Sequence, residues 1–199
     1  MSEQRSMLYR YIFIGVLLSV TLCSWYYAVT SYISNREAIH SQIQEIKDML
    51  LLPYYMQELA REEPDTALVM PVFGVRVSEV TDTWGGVRSG GRQHEGVDIF
   101  AQPGAPVYSA TQGYVLRITE RGLGGKFVFI LGKGGRRYYY AHLYAHSPYL
   151  KAGSKVSTTT ILGFVGNTGN ASGTSPHLHF GMYTNQGAQN PYQLLNDRE

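Results

Sequence analysis

His177-Leu178-His179 places two imidazoles one residue apart inside the run Ser-Pro-His-Leu-His-Phe-Gly. His94 and Asp98 form a second pair in Gly-Arg-Gln-His-Glu-Gly-Val-Asp-Ile, and Tyr140-Ala141-His142-Leu143 lies between the two. Together these side chains offer three ligands for a zinc ion and two spare imidazoles. A catalytic zinc needs three protein ligands and one open position. Cys23 is the single cysteine, which excludes an intrachain disulfide and a cysteine-rich zinc site. Zinc would have to use imidazole and carboxylate.

The spacing has a physical reading. On a strand, side chains i and i+2 share a face. His177 and His179 then point the same way while Leu178 and Phe180 turn into the core. The aromatic stretch Tyr138-Tyr139-Tyr140-Ala141-His142-Leu143 also favours a strand. Strict alternation would set His142 on the side of Tyr138 and Tyr140. His-Glu-x-x-Asp at positions 94–98 mimics a helical zinc motif, but that motif needs a helix to bring i and i+4 together. Gly96, Val97 and the flanking Gly90, Gly91 and Pro103-Gly104 argue against one. The expectation is a loop bending into a strand over Val97–Phe100, with Glu95 pointing away from the metal. His40 and His146 read as ordinary surface or satisfied core residues.

These three elements, in this order, resemble the lysostaphin/LytM family of zinc peptidoglycan endopeptidases. The family pattern is His-x-x-x-Asp, then Tyr-x-His-Leu, then His-x-His. It is met by His94-x-x-x-Asp98, Tyr140-Ala141-His142-Leu143 and His177-Leu178-His179, with a glycine framework from Gly163 to Gly169 before Pro176. The resemblance covers about Val69 to Leu195. It implies that His94, Asp98 and His179 bind Zn2+ and that His142 and His177 are unliganded catalytic histidines. A zinc ion so held acidifies a water and polarises a carbonyl. One imidazole would take a proton and the other stabilise the oxyanion, with His177 preferred as base and His142 as stabiliser. Tyr140 is a further possible donor, although a strand tyrosine is more often packing. The sober alternative is a non-catalytic, zinc-stabilised wall-binding module that regulates other hydrolases. No ligand or catalytic position is missing, which argues against it.

The N-terminal third supplies an address. Residues 1–10 are polar and include Arg5 and Arg10, and Tyr11 to Val29 carries no charge. That length approaches the roughly 20 residues that cross a bilayer. Trp25, Tyr26 and Tyr27 suit an interfacial aromatic belt, and the arginines favour the N-terminus inside. The expectation is a single-pass anchor over 11–30 in a bacterial inner (cytoplasmic) membrane, with the rest facing the periplasm or cell wall. A cleaved signal peptide is the rival, but no small-x-small site follows. Residues 31–65 form a connector in which Ile39, Ile43, Ile46 and Leu50 recur at helical spacing. Pro53 should end or bend that helix. A membrane-proximal stalk is the simplest reading. A short dimerising coil, or Tyr54-Tyr55-Met56 covering the zinc groove, are the others.

Residues 66–199 complete the chain as the zinc endopeptidase domain. They carry twelve Lys and Arg against seven Asp and Glu, while residues 1–65 carry five against eight. A mildly basic domain suits an anionic wall polymer. Nucleic-acid binding is not indicated, because Arg136-Arg137 stands alone. The predicted fold is mostly β: a compact antiparallel sheet with strands over 113–120, 126–131, 137–143, 161–166 and 177–184, bounded by Gly, Asn, Ser or Pro. Loops around Thr83–Gln93 and Asn167–Ser175 should wall the groove. Trp84 would line it or cap the core.

Overall fold

The computed structural model describes the backbone of residues 2–199, and side chains from Gly15 onward apart from Ser89. The Arg5 and Arg10 side chains, on which the orientation of the anchor was argued, lie outside the described residues. Helix α1 runs Ser2–Arg61. The chain divides into two compact units, one up to Leu51 and one from Leu52 to Glu199.

In the first unit, the side chains of Val16, Leu17, Leu18, Val20, Leu22, Trp25, Tyr26 and Tyr27 are exposed. The helix is long and apolar enough to cross a membrane. Pro53 does not end it: α1 continues through Pro53 to Arg61. A proline removes one intrahelical hydrogen bond and crowds one carbonyl. Tertiary packing outweighs that cost here. Leu59 is buried, Glu62 pairs with Lys133 at 2.9 Å, and the Asp65 carboxylate accepts from Thr111. The Asp65 carbonyl also accepts from Arg136 at 2.6 Å.

The second unit is built of short strands. In chain order they are β1 (Leu68–Val69), β2 (Val97–Phe100), β3 (Pro106–Tyr108), β4 (Gly113–Thr119), β5 (Lys126–Leu131) and β6 (Arg137–His146). There follow β7 (Lys155–Val156), β8 (Ile161–Val165), β9 (His177–Thr184), β10 (Gly187–Gln189) and β11 (Leu195–Asn196). A nine-stranded sheet runs β10-β9-β6-β5-β4-β7, with β2 also on β9 and β8 joining β3 to β6. All its pairings are antiparallel, and β1 with β11 forms a separate parallel pair.

Alternation sorts the residues by face. Val97 and Ile99 of β2, Tyr138 and Tyr140 of β6, and Leu178, Phe180 and Met182 of β9 all join the hydrophobic core. Directly opposed residues on antiparallel strands share a face. The row Val97–Phe180–Tyr140 is therefore core, and the next row, Asp98–His179–Ala141, lies on the other face. That row is where the site is built.

Candidate metal centre and cleft

Asp98 and His179 meet because the register of β2 on β9 sets them opposite each other. Their Oδ1 and Nδ1 atoms are 3.2 Å apart. His94 arrives from the loop before β2. Its Nε2 lies 2.8 Å from His179 Nδ1 and 3.0 Å from Asp98 Oδ1. Among the described residues, these three side chains form a group whose ligand atoms all lie within 4.8 Å of one another. Ligands at about 2.0–2.2 Å from a tetrahedral zinc stand about 3.3–3.5 Å apart, so the set fits with shifts of a few tenths of an ångström.

The donor chemistry points the same way. His94 Nδ1 lies 2.8 Å from the Thr83 carbonyl, which can only accept, so the ring carries its proton there. Its Nε2 then faces the cluster with a lone pair. Two imidazoles and a carboxylate converging in this way need protons or a cation between them. Burial by itself would raise the Asp98 carboxyl, but hydrogen bonds from His179, His94 and Arg88 hold it well below the usual carboxylate range. Burial lowers the His179 imidazole, which favours the neutral ring a metal requires. Thr83 also supports Asp98, accepting the Asp98 amide through Oγ1 at 2.9 Å. Such outer contacts fix ligand orientation.

His142 and His177 occupy the same cleft. Their ring centroids are 5.1 Å apart, and His142 lies 5.9 Å from His179. Each directs Nδ1 to a backbone carbonyl at 2.8 Å, His142 to Thr168 and His177 to Ser175. Each therefore leaves Nε2 available for proton transfer. His177 Nε2 is 3.9 Å from Asp98 Oδ1. Burial pushes the His142 imidazole down to about 4, helped by the neighbouring His179 and His177.

The side on which His142 sits corrects the simple alternation argument. Tyr138 and Tyr140 are in the core, whereas His142 joins the cleft with Tyr139. The cause is a backbone irregularity. His142 has φ 64°, the only non-glycine residue in the left-handed region among the described residues. The β5–β6 register shifts beside it, and its amide donates to Gly124 O at 2.9 Å. This bulge turns the ring to the other face. A left-handed histidine costs about 1–2 kcal/mol that glycine does not pay. We expect His142→Gly to be more stable to denaturant than His142→Ala by about 1 kcal/mol. Equal midpoints in urea would exclude the strain.

Tyr140 is not a cleft donor. It is fully buried, its oxygen accepts the Ala110 amide at 2.9 Å, and burial raises its phenol further above the ordinary tyrosine range. Tyr139 lines the cleft instead, edge-on to His179 at 5.7 Å. Its position opposite Gly181, two residues before the Ala141–His179 pair and so on the same face, is the signal that alternation contained.

The cleft holds about 720 Å³. Arg88, Arg92 and Gln93 come from the first expected wall and Asn170, Ala171 and Thr174 from the second, while Leu123 and Gly124 add a third. The second and third walls are fastened together: Asn170 donates to Leu123 O and the Lys126 amide to Thr168 Oγ1, both at 2.9 Å. Trp84, Tyr54, Tyr55 and Met56 do not line the cleft. Glu95 does, but exposed at its rim and outside the ligand group. His146 is elsewhere, 3.2 Å from the Phe127 carbonyl.

A sheet-borne cleft with a His-Asp-His ligand set and two further imidazoles defines a candidate metallohydrolase centre. Comparison with known proteins agrees. The model of peptidase family M23 matches residues 92–191, half of the chain, and the chain belongs to that family. The L-Ala--D-Glu endopeptidase of Bacillus subtilis is 39% identical over 112 residues, which is 53% of this chain and 34% of that protein. The chain spans about a third or less of the length of the curated relatives it matches. Among solved structures, the catalytic domain of the antimicrobial peptidase lysostaphin from Staphylococcus simulans aligns with TM-score 0.51 and 30% identity, over 58% of this chain and 91% of that one. A zinc containing peptidase from Vibrio cholerae aligns with TM-score 0.53 and 26% identity, over 62% of this chain and 38% of that one.

Proposed function

We propose that this protein is a zinc-dependent endopeptidase that hydrolyses peptide cross-links of bacterial peptidoglycan. The observation that carries the reading is the convergence of His94 Nε2, Asp98 Oδ1 and His179 Nδ1 beside two imidazoles with open Nε2 atoms. Zinc held there supplies Lewis acidity toward a carbonyl and toward water.

The chain's own residues do the rest. His177 is the base. Its Nδ1–H is anchored on Ser175, which leaves Nε2 free to accept a proton 3.9 Å from Asp98 Oδ1. Having gained a proton, it can pass it to the leaving amine. His142, held through Nδ1 by Thr168, stabilises the oxyanion as a donor, the developing negative charge offsetting the burial that otherwise keeps its Nε2 unprotonated. Glu95 takes no part in proton transfer, so Glu95→Gln is expected to keep turnover within about threefold of the parent. A loss of two orders of magnitude would make Glu95 the base.

We place the catalytic unit outside the cytoplasm, on an inner-membrane anchor. Supporting this are the exposed apolar side chains of α1 and its length. The test uses the full-length chain in detergent micelles with purified sacculi, followed by mass spectrometry of the fragments. Conversion of cross-linked dimers to monomers, abolished by chelation and restored by zinc, is the expected result. Intact dimers with a folded, zinc-loaded chain would favour the regulatory, non-cleaving reading.

A further inference from the structure

The cleft is electrically one-sided. Arg88, Arg92 and Glu95 come from the loop before β2, and Leu123, Asn170 and Thr174, from the other two loops, carry no charge. Arg88 is the best defined of the three. It donates through Nη2 to Asp98 Oδ2, while Oδ1 is the oxygen turned to His94 and His179. Asp98 is 8% exposed at its side chain and Arg88 44%. A guanidinium offers five N–H donors in a flat fork and keeps its charge at any working pH. One donor is engaged by Asp98, and the half-exposed fork borders the space a substrate must enter. Arg88 and Arg92 oppose the charges of Glu95 and Asp98, and a divalent cation, once bound, would add positive charge to the cleft.

Peptide bridges in cell walls differ in the group they would bring to this wall. A cross-link between stem peptides carries free carboxylates near the scissile bond, whereas an oligoglycine bridge carries none. We propose that Arg88 is a specificity-determining residue that binds a free carboxylate of a stem-peptide substrate while holding the ligand Asp98. The inference rests on the peptidoglycan reading above and names the substrate class within it. Arginine suits the double task, because a planar fork can serve two carboxylates at once where a lysine ammonium is a single point charge.

The experiment pairs a change in the substrate with a change in the enzyme. Full-length, zinc-saturated chain in detergent micelles is assayed on a stem-peptide dimer with free carboxylates, the same dimer amidated, and an oligoglycine-bridged peptide. Amidation is expected to raise KM about tenfold or more for the parent protein, the scale of one charge-assisted hydrogen bond. Arg88→Gln should flatten that ratio to within about twofold, and Arg88→Lys should fall between. Chelator competition should show zinc held about 10–100-fold more weakly in Arg88→Gln, from the loss of support to Asp98. Assay at saturating zinc separates the two effects. The proposal is overturned if the parent treats free and amidated dimers alike, prefers oligoglycine, or if Arg88→Gln preserves the ratio. The parent's response to amidation tests it without any variant. If the zinc-loaded parent cuts none of the three, the endopeptidase reading itself has failed.

Discussion

His177→Ala is expected to bind zinc at full stoichiometry and to lose about 10²–10⁴-fold in hydrolysis, the usual contribution of a positioned general base. His177 lies outside the His94–Asp98–His179 group, so its removal leaves every proposed ligand atom in place. It comes from the same strand as His179, with Leu178 packed in the core between them. His179→Ala should therefore behave differently, losing metal and activity together. The paired measurement is zinc content after dialysis alongside single-turnover hydrolysis of a cross-linked dimer. If His177→Ala turned over at the parental rate, the assignment of the base would be wrong. If it released zinc, His177 would have to be counted among the ligands.

Gly96→Ala should be nearly as damaging, although Gly96 carries no functional group. A Cβ there would stand 2.6 Å from His179 Cε1, 2.7 Å from the Phe180 carbonyl oxygen and 2.8 Å from His179 Nε2. The Phe180 oxygen belongs to the β-ladder and cannot withdraw, so the imidazole must swing away from Asp98 and His94. We expect zinc affinity to fall by at least about 100-fold and hydrolysis with it, since a metal site tolerates only small errors in ligand placement. The metal-free fold should lose about 1–3 kcal/mol, as for overpacking elsewhere. Chelator competition and thermal unfolding in chelator measure the two separately. Parental zinc affinity in Gly96→Ala would show that His179 has slack that the close packing denies. Gly181→Ala is a useful contrast: its nearest neighbours are 3.1 Å away, so a smaller loss is expected.

Much of this site can be read along the chain, because its pieces are local. His177 and His179 alternate with Leu178 and Phe180, and that period of two is enough to place both rings on one face. Glycine and β-branched residues around His94 and Asp98 rule out a helix, and β2 spans Val97–Phe100 as read. Strands β5 and β9 match their predicted limits because turn-forming residues bracket them. The shortest strands, β1, β3, β7, β10 and β11, escape such reading. At two or three residues each, they owe their form to partners far away in the chain.

The chain by itself determined which residue types are available for chemistry, their order, and the apolar helix that precedes them, since composition and short-range periodicity act locally. Tertiary structure alone decided three things. The pairing of β2 with β9 brought Asp98 against His179, across 81 residues of sequence. A left-handed backbone at His142, held by Gly124 and Thr168, turned that ring out of the core face. Packing of Leu59, Glu62 and Asp65 on the β unit carried α1 past Pro53. Each depends on contacts between distant segments, and local propensity holds no information about those.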